Sequence, residues 1–230
     1  MSQTIDIHYK FVFEDGQDRS YQIAIDGESG SLVPQKQLEL PDWTKLEVSK
    51  CSHCPYKVEN LPHCPVAVNL HQALATFKDE LSYRSCEVQV STAARTYSKT
   101  ISLQEGLFGL FGLIMSTSAC AHMDFLKPMA RYHLPFSTAE ETVIRSTSLY
   151  LLKQLMIAKS GGVPDWDLKN FSAMYEKVQL VNQGIIGRVR KMKTKGDADQ
   201  NAVVILDSFA SLLSMELSQD FQNYKSIFLK

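Results

Sequence analysis

Ile5-Asp6-Ile7-His8-Tyr9-Lys10-Phe11-Val12-Phe13, running into Glu14-Asp15-Gly16, sets the class of the fold. Apolar side chains fill every second position from Ile5 to Phe13, the period of a strand with one buried face, and Asp15-Gly16 supplies turn chemistry. The alternation resumes at Tyr21, Ile23 and Ile25 and stops at Asp26-Gly27, so the segment spells a β-hairpin. Cys86 to Val90 and Thr96 to Ile101 predict a second hairpin, with Val88, Val90, Tyr97 and Ile101 toward one core.

Between the hairpins the pattern changes. A loop containing Pro34, Pro41 and Trp43 leads through Leu46-Glu47-Val48 to a segment dominated by Cys, His and Pro, Cys51 to Pro65. Val66 to Leu81 then has helical spacing, with Val66, Leu70, Leu74, Phe77 and Leu81 near one face. From Gln104 onward the chain reads as helix. Gly106, Gly109 and Gly112 form a stripe without side chains, which predicts tight packing of another element rather than a ligand contact. Ser137-Thr138-Ala139-Glu140 matches a capping box and opens a helix whose apolar face is expected at Val143, Leu151, Leu152, Leu155 and Met156, ended by Gly161-Gly162. A third helical segment carries Leu168, Phe171, Tyr175, Val178 and Val181 to about Lys195, and Gly196-Asp197 starts the last, with Val204, Phe209, Leu212, Leu213 and Leu217 as its core. The expected fold class is α+β: an N-terminal antiparallel sheet with a cysteine-rich loop, residues 1–103, packed on a C-terminal antiparallel helical array, residues 104–230, as one integrated unit.

Composition narrows the function classes. The 230 residues are 44% hydrophobic and 21% charged, as in ordinary globular proteins. A net charge of −1 supplies no overall field toward nucleic acid or anionic lipid, so neither is an expected partner and an unidentified protein is. The N-terminal residues from Met1 lack a basic region followed by an apolar run, and the longest weakly polar stretch, Gly106 to Met115, is short of the roughly 20 residues of a spanning helix. A cytoplasmic setting without membrane contact is therefore expected. No phosphate loop, nucleophile elbow, H-E-x-x-H helix or G-x-G-x-x-G turn occurs, and no catalytic residue is assigned.

The cysteines carry the sharpest signal. Five occur, at 51, 54, 64, 86 and 120, an odd count that argues against a disulfide framework. Cys51-Ser52-His53-Cys54-Pro55 is a C-x2-C turn, and Cys64 follows within His63-Cys64-Pro65. Such a turn converges two thiolates on one ion at the Zn–S distance of about 2.3 Å. Cys51, Cys54 and Cys64 would supply three ligands, and Cys120, in Ser118-Ala119-Cys120-Ala121-His122, is the expected fourth. His63, His53 and His122 are the alternative or outer ligands, with His63 expected to orient a thiolate from behind. Cys86, in a strand, reads as a buried hydrophobe. A redox pair is disfavoured because Cys51 to Cys54 does not open a helix in a βαβ unit. An iron–sulfur cluster on the same four thiols is the alternative to zinc, since cysteine followed by proline recurs in some ferredoxin ligand runs. A metal-free helical interaction module with reduced cysteines is the third possibility. Arg188 to Lys195 concentrates positive charge at a helix end, where cations are solvated and complement the dipole. His122-Met123 and Met129 to His133 are read as core filler rather than haem or copper ligands.

Cys51-x2-Cys54-Pro55, His63-Cys64-Pro65-Val66-Ala67, Gly112-Leu113-Ile114-Met115 and Pro128-Met129-Ala130-Arg131-Tyr132-His133-Leu134-Pro135-Phe136 together resemble an uncharacterised family of bacterial proteins of about this length. In that family a cysteine followed by proline stands at the position of Cys120-Ala121, so this sequence keeps the thiol and departs at the next residue. The resemblance implies a bacterial origin and a cytoplasmic setting, favours Cys120 as a ligand, and implies no activity.

Overall fold

The alternating strands pair as their side chains require. The computed structural model describes residues 4–34, 39–192, 196–218 and 221–229. β1 (Thr4–Phe13) pairs antiparallel with β2 (Asp18–Asp26) and on its other side with β3 (Ser85–Ser91), which pairs with β4 (Thr96–Ser102), giving the order β2-β1-β3-β4. The inward residues Ile7, Tyr9, Phe11, Phe13, Ile23, Ile25, Val88 and Val90 are all buried. Burying each large side chain of this kind stabilises the fold by roughly 1.5–3 kcal/mol. Gly16 turns the first hairpin with φ +81°.

α1 (Pro65–Phe77) and α2 (Leu103–Thr117) cover that face. Phe77 meets Phe11 edge-on at 4.9 Å between ring centroids. The glycine stripe of α2 permits the close approach predicted from its spacing. A Cβ at Gly106 would stand 2.7 Å from Phe11 Cε1 and 2.9 Å from Val88 Cγ2. At Gly109 it would meet the Tyr9 hydroxyl at 3.1 Å, and at Gly112 the Leu206 side chain at 3.2 Å. α2 is thus wedged between the sheet and the later helices. These are the short α3 (Lys127–Arg131), α4 (Ala139–Lys159), α5 (Lys169–Val189), α6 (Ala198–Ser218) and α7 (Lys225–Phe228). A single hydrophobic core runs from the sheet through α2 into α5 and α6. Among the described residues no single helix is long and apolar enough to cross a membrane.

Several local expectations shift. α1 ends at Phe77 and Leu81 is exposed, because the Lys78 and Glu80 carbonyls accept from the backbone N–H groups of Gly196, Asp197 and Ala198 instead of from another helical turn. The capping box of α4 sits one residue later than predicted. Thr138 is the N-cap, its Oγ1 accepting from the Glu141 N–H at 3.1 Å while Glu141 accepts from the Thr138 N–H at 2.8 Å. α4 also buries a different face. Leu152, Leu155 and Met156 are exposed, whereas Ser146, Thr147 and Gln154 are buried. Two of those three polar groups find tertiary partners: Ser146 bonds the Tyr175 hydroxyl at 2.5 Å, and Gln154 accepts from the Asp165 N–H at 2.9 Å, whereas Thr147 Oγ1 has no hydrogen-bond partner among the described residues. In α6 Val204 is exposed, and Ala202, Val203, Ala210 and Leu213 are buried. α5 stops at Val189, and Lys193 to Lys195, the end of the basic run, lie outside the described residues, as do Met1 to Gln3.

Candidate metal centre

Each cysteine of the predicted set is placed by a separate local device. The C-x2-C turn is closed by the Cys54 N–H donating to the Cys51 carbonyl at 3.0 Å. It is preceded by Ser49 in the left-handed region, φ 49°. This turn lies against α5, where Gly184 and Gly187 leave room: a Cβ at Gly184 would stand 2.7 Å from Cys51 Sγ, and one at Gly187 3.1 Å from Ser49 Oγ. Cys64 is the N-cap of α1, its N–H donating to the Thr44 carbonyl at 2.8 Å, with Pro65 fixing the first helical turn. Cys120 follows the end of α2 and is 9% exposed.

Tyr56 joins two of these segments. Its hydroxyl donates to the Ala119 carbonyl at 2.8 Å and accepts from the Ala121 N–H at 3.2 Å, so one phenol brackets Cys120 from both sides. Asn69 of α1 adds a bond of 3.0 Å to Ser118 Oγ. Sequence reasoning passed over Tyr56, whose only visible signal is its place directly after Cys54-Pro55.

The outcome is electrostatic proximity. All five cysteines are free thiols. Burial first, then charge on Cys64 and Cys54, push the Cys51 thiol up to about 11, opposed by Arg188. Burial likewise pushes Cys120 up to about 11, opposed by the His122 backbone N–H at its sulfur and reinforced by Cys64, Cys51 and Cys54. Cys51, Cys54, Cys64 and Cys120, from segments far apart in sequence, therefore lie within range of one another's charge. As the side chains stand, no group of three or more His, Cys, Asp or Glu residues among the described residues is arranged to hold a metal ion. The thiols are neighbours without closing on one point. Cys86 is apart, buried in β3 with its sulfur toward the Ile101 carbonyl.

The histidines take distinct places. His63 pairs through Nδ1 with Thr44 Oγ1 at 2.7 Å, and the carbonyl of the same Thr44 receives Cys64, so His63 steadies the segment that presents Cys64. His53 and His122 lie face to face, 4.0 Å between ring centroids. His122 Nε2 donates to the His53 carbonyl at 3.0 Å, which leaves its Nδ1 as the ring's acceptor. Neither ring nitrogen of His53 makes a hydrogen bond of ordinary geometry; only the Lys177 carbonyl favours its protonated form, and burial with the neighbouring His122 holds its pKa below the usual range.

Arg188 overturns its prediction. Expected as a solvated cation, it is 2% exposed and donates to the carbonyls of Trp43, Lys45 and Leu46 at 2.8, 2.6 and 3.0 Å. Those carbonyls lie in the short turn-rich stretch before the thiols, where the Lys45 carbonyl also accepts from the Val48 N–H at 3.1 Å, and a long donor fork from α5 ties all three together. The guanidinium also stands close enough to Cys51, Cys54 and Cys64 to interact with their charge. Arg190 and Lys191 remain exposed, as expected.

No curated protein and no solved structure matches the chain. One family model matches residues 7–229. With nearly its whole length covered, the chain belongs to the family described as Domain of unknown function (DUF6901).

Proposed function

We propose that the chain is a cytoplasmic metal-binding protein in which Cys51, Cys54, Cys64 and Cys120 hold one zinc ion that fastens the cysteine loop to the helical part, in a regulatory or partner-binding role. The observation that carries this reading is the gathering of four free thiols from three chain segments within range of one another's charge. The donor set suits zinc: four thiolates form closed tetrahedral sites, and the surrounding N–H groups and one buried cation offset their charge. Arg188 is that cation, and the His122 N–H at Cys120 is one such donor. The motifs Cys51-x2-Cys54-Pro55 and His63-Cys64-Pro65 are, on this reading, the ligand signature shared with the family. Ligation would require side-chain rotation onto a common point and release of thiol protons, so affinity would fall with falling pH.

Elemental analysis with an absorption spectrum on anaerobically purified full-length protein tests the proposal. About one zinc per chain and no visible band is the expected result, lost in Cys54→Ser. Iron with sulfide and a broad visible band would replace zinc by a cluster on the same thiols. Absence of stoichiometric metal, or full metal occupancy in Cys54→Ser, would refute the ligand set and leave a helical interaction module.

A further inference from the structure

Away from the cysteines, α2, α3, α4, α5 and α6 line a half-open cavity of about 150 Å³. Its walls are mostly apolar, with Met115, Met123, Phe209, Ala210 and Leu213 among them. An apolar space of about 150 Å³ accommodates one benzene-sized body. Two polar groups facing it carry N–H donors with no hydrogen-bond partner of ordinary geometry among the described residues. Asn182 is 2% exposed, and its Nδ2 has no hydrogen-bond partner of ordinary geometry among the described residues, although it stands near enough to Asp207 to favour that carboxylate's charged form.

Arg145 is the second. It is half-buried, and burial lowers its affinity for its proton. Among the described residues its hydrogen bonds run from Nη2, to the Tyr132 carbonyl at 2.6 Å and the Met129 carbonyl at 3.4 Å. The charge of Glu141, one turn earlier, reaches Arg145, but that carboxylate is occupied in capping α4 and forms no ion pair with it. Among the described residues Arg145 is thus a partly desolvated cation in no salt bridge, attracted only at longer range by Glu141, an arrangement that an anion would improve. The other polar groups of the wall are already engaged, Tyr175 with Ser146 and His133 with Tyr9. Beyond the wall formed by His133, Leu134 and Arg145 lies an open groove of about 510 Å³ carrying Arg95 and Arg131, with Asp6 its one acidic lining residue. Anions are drawn to that entrance.

We propose that this cavity binds a small monocarboxylate, its single ring or short alkyl chain among the apolar walls and its carboxylate paired with Arg145. Carboxylate and guanidinium match in planar, two-bond geometry, and the unbonded N–H groups of Arg145 supply the donors. Asn182 offers a further donor to a polar substituent on the body. The site is independent of the thiols, so its fate does not bear on the metal.

Ligand-observed NMR titration of the full-length protein with benzoate, hexanoate and neutral benzyl alcohol tests it. Saturable binding of at least one carboxylate is expected, with benzyl alcohol about tenfold weaker or more, because a charge-assisted pair is lost. Arg145→Met should weaken the carboxylate by a similar factor. Ala210→Leu fills the cavity while leaving Arg145 in place and should abolish binding; circular dichroism shows that each variant is folded. If Arg145→Met does not fold, the alcohol comparison and Ala210→Leu decide. Absence of saturable carboxylate binding at millimolar concentration, equal affinity for the alcohol, or unchanged affinity in folded Ala210→Leu would each overturn the proposal.

Discussion

His133 makes the stability of this fold depend on pH. Its Nε2 shares a hydrogen bond of 2.5 Å with the Tyr9 hydroxyl, against the core side of the sheet. Burial first, and then the neighbouring Arg145 charge, push its pKa down to about 3. In the unfolded chain it returns to about 6.5. Between these values the unfolded state binds the extra proton, so stability is fully present above about pH 6.5 and is lost as pH falls toward 3. Lowering pH from 7.5 to 5 shifts the balance by about 2 kcal/mol if the whole difference applies. His133 keeps some contact with solvent, so we expect about 1–2 kcal/mol. The perturbation is His133→Gln, whose amide can still pair with Tyr9 but does not titrate. Urea unfolding followed by far-ultraviolet circular dichroism, at both pH values and in a fixed metal state, gives the two stabilities for each protein. His53 and His71, also held below their usual pKa by burial, are common to both proteins and cancel in the difference. Wild type should lose about 1–2 kcal/mol more than the variant. Equal losses in the two proteins would refute the reasoning, because His133 would then titrate alike in the folded and unfolded states.

Arg188→Met removes the donor to three carbonyls and should cost about 3 kcal/mol in urea unfolding, with Arg188→Lys recovering less than half, since one ammonium does not span all three; a loss below about 1 kcal/mol would count against the anchor. Tyr56→Phe keeps the ring and loses both bonds around Cys120; thermal unfolding should show about 1 kcal/mol lost, and, if the proposed zinc site forms, competition with a chromophoric chelator should show the ion held about tenfold less tightly, while unchanged values would remove Tyr56 from the site. Gly106→Ala places a methyl group against Phe11 and Val88 and should destabilise by about 1–3 kcal/mol despite the better helix propensity of alanine; a stabilised variant in differential scanning calorimetry would show that α2 can shift outward without cost.

Periodicity revealed the elements whose neighbours are local or whose pattern is unambiguous. The alternation at Ile7, Tyr9, Phe11 and Phe13 fixed the buried face of β1, and the glycine stripe announced the close approach of α2. It misjudged α4 because tertiary bonds, Ser146 to Tyr175 and Gln154 to the Asp165 N–H, make polar positions the buried ones, while Leu152 and Met156 turn outward. Arg188 was illegible for the same reason: its carbonyl partners lie more than 140 residues away, and a cationic run at a helix end looks the same whether one member turns inward or not. The four cysteines were nominated by residue type and spacing, and the structure sets them within range of one another's charge without closing them on one point. The clip made by Tyr56, and the room made for Cys51 by Gly184, depend on contacts that spacing does not encode, although Gly184-Ile185-Ile186-Gly187 repeats in α5 the small-residue interval seen in α2.

The anchor between Arg188 and the Lys45 carbonyl spans 143 residues, and this has a consequence for the protein's birth. A ribosome adds about 5–20 residues per second, so roughly 7–30 seconds separate the two groups during synthesis. Through most of that interval Cys51, Cys54 and Cys64 have left the translating ribosome without the helix that will shelter them. Nascent chains therefore carry these thiols for seconds without the packing that α5 gives Cys51 in the folded protein.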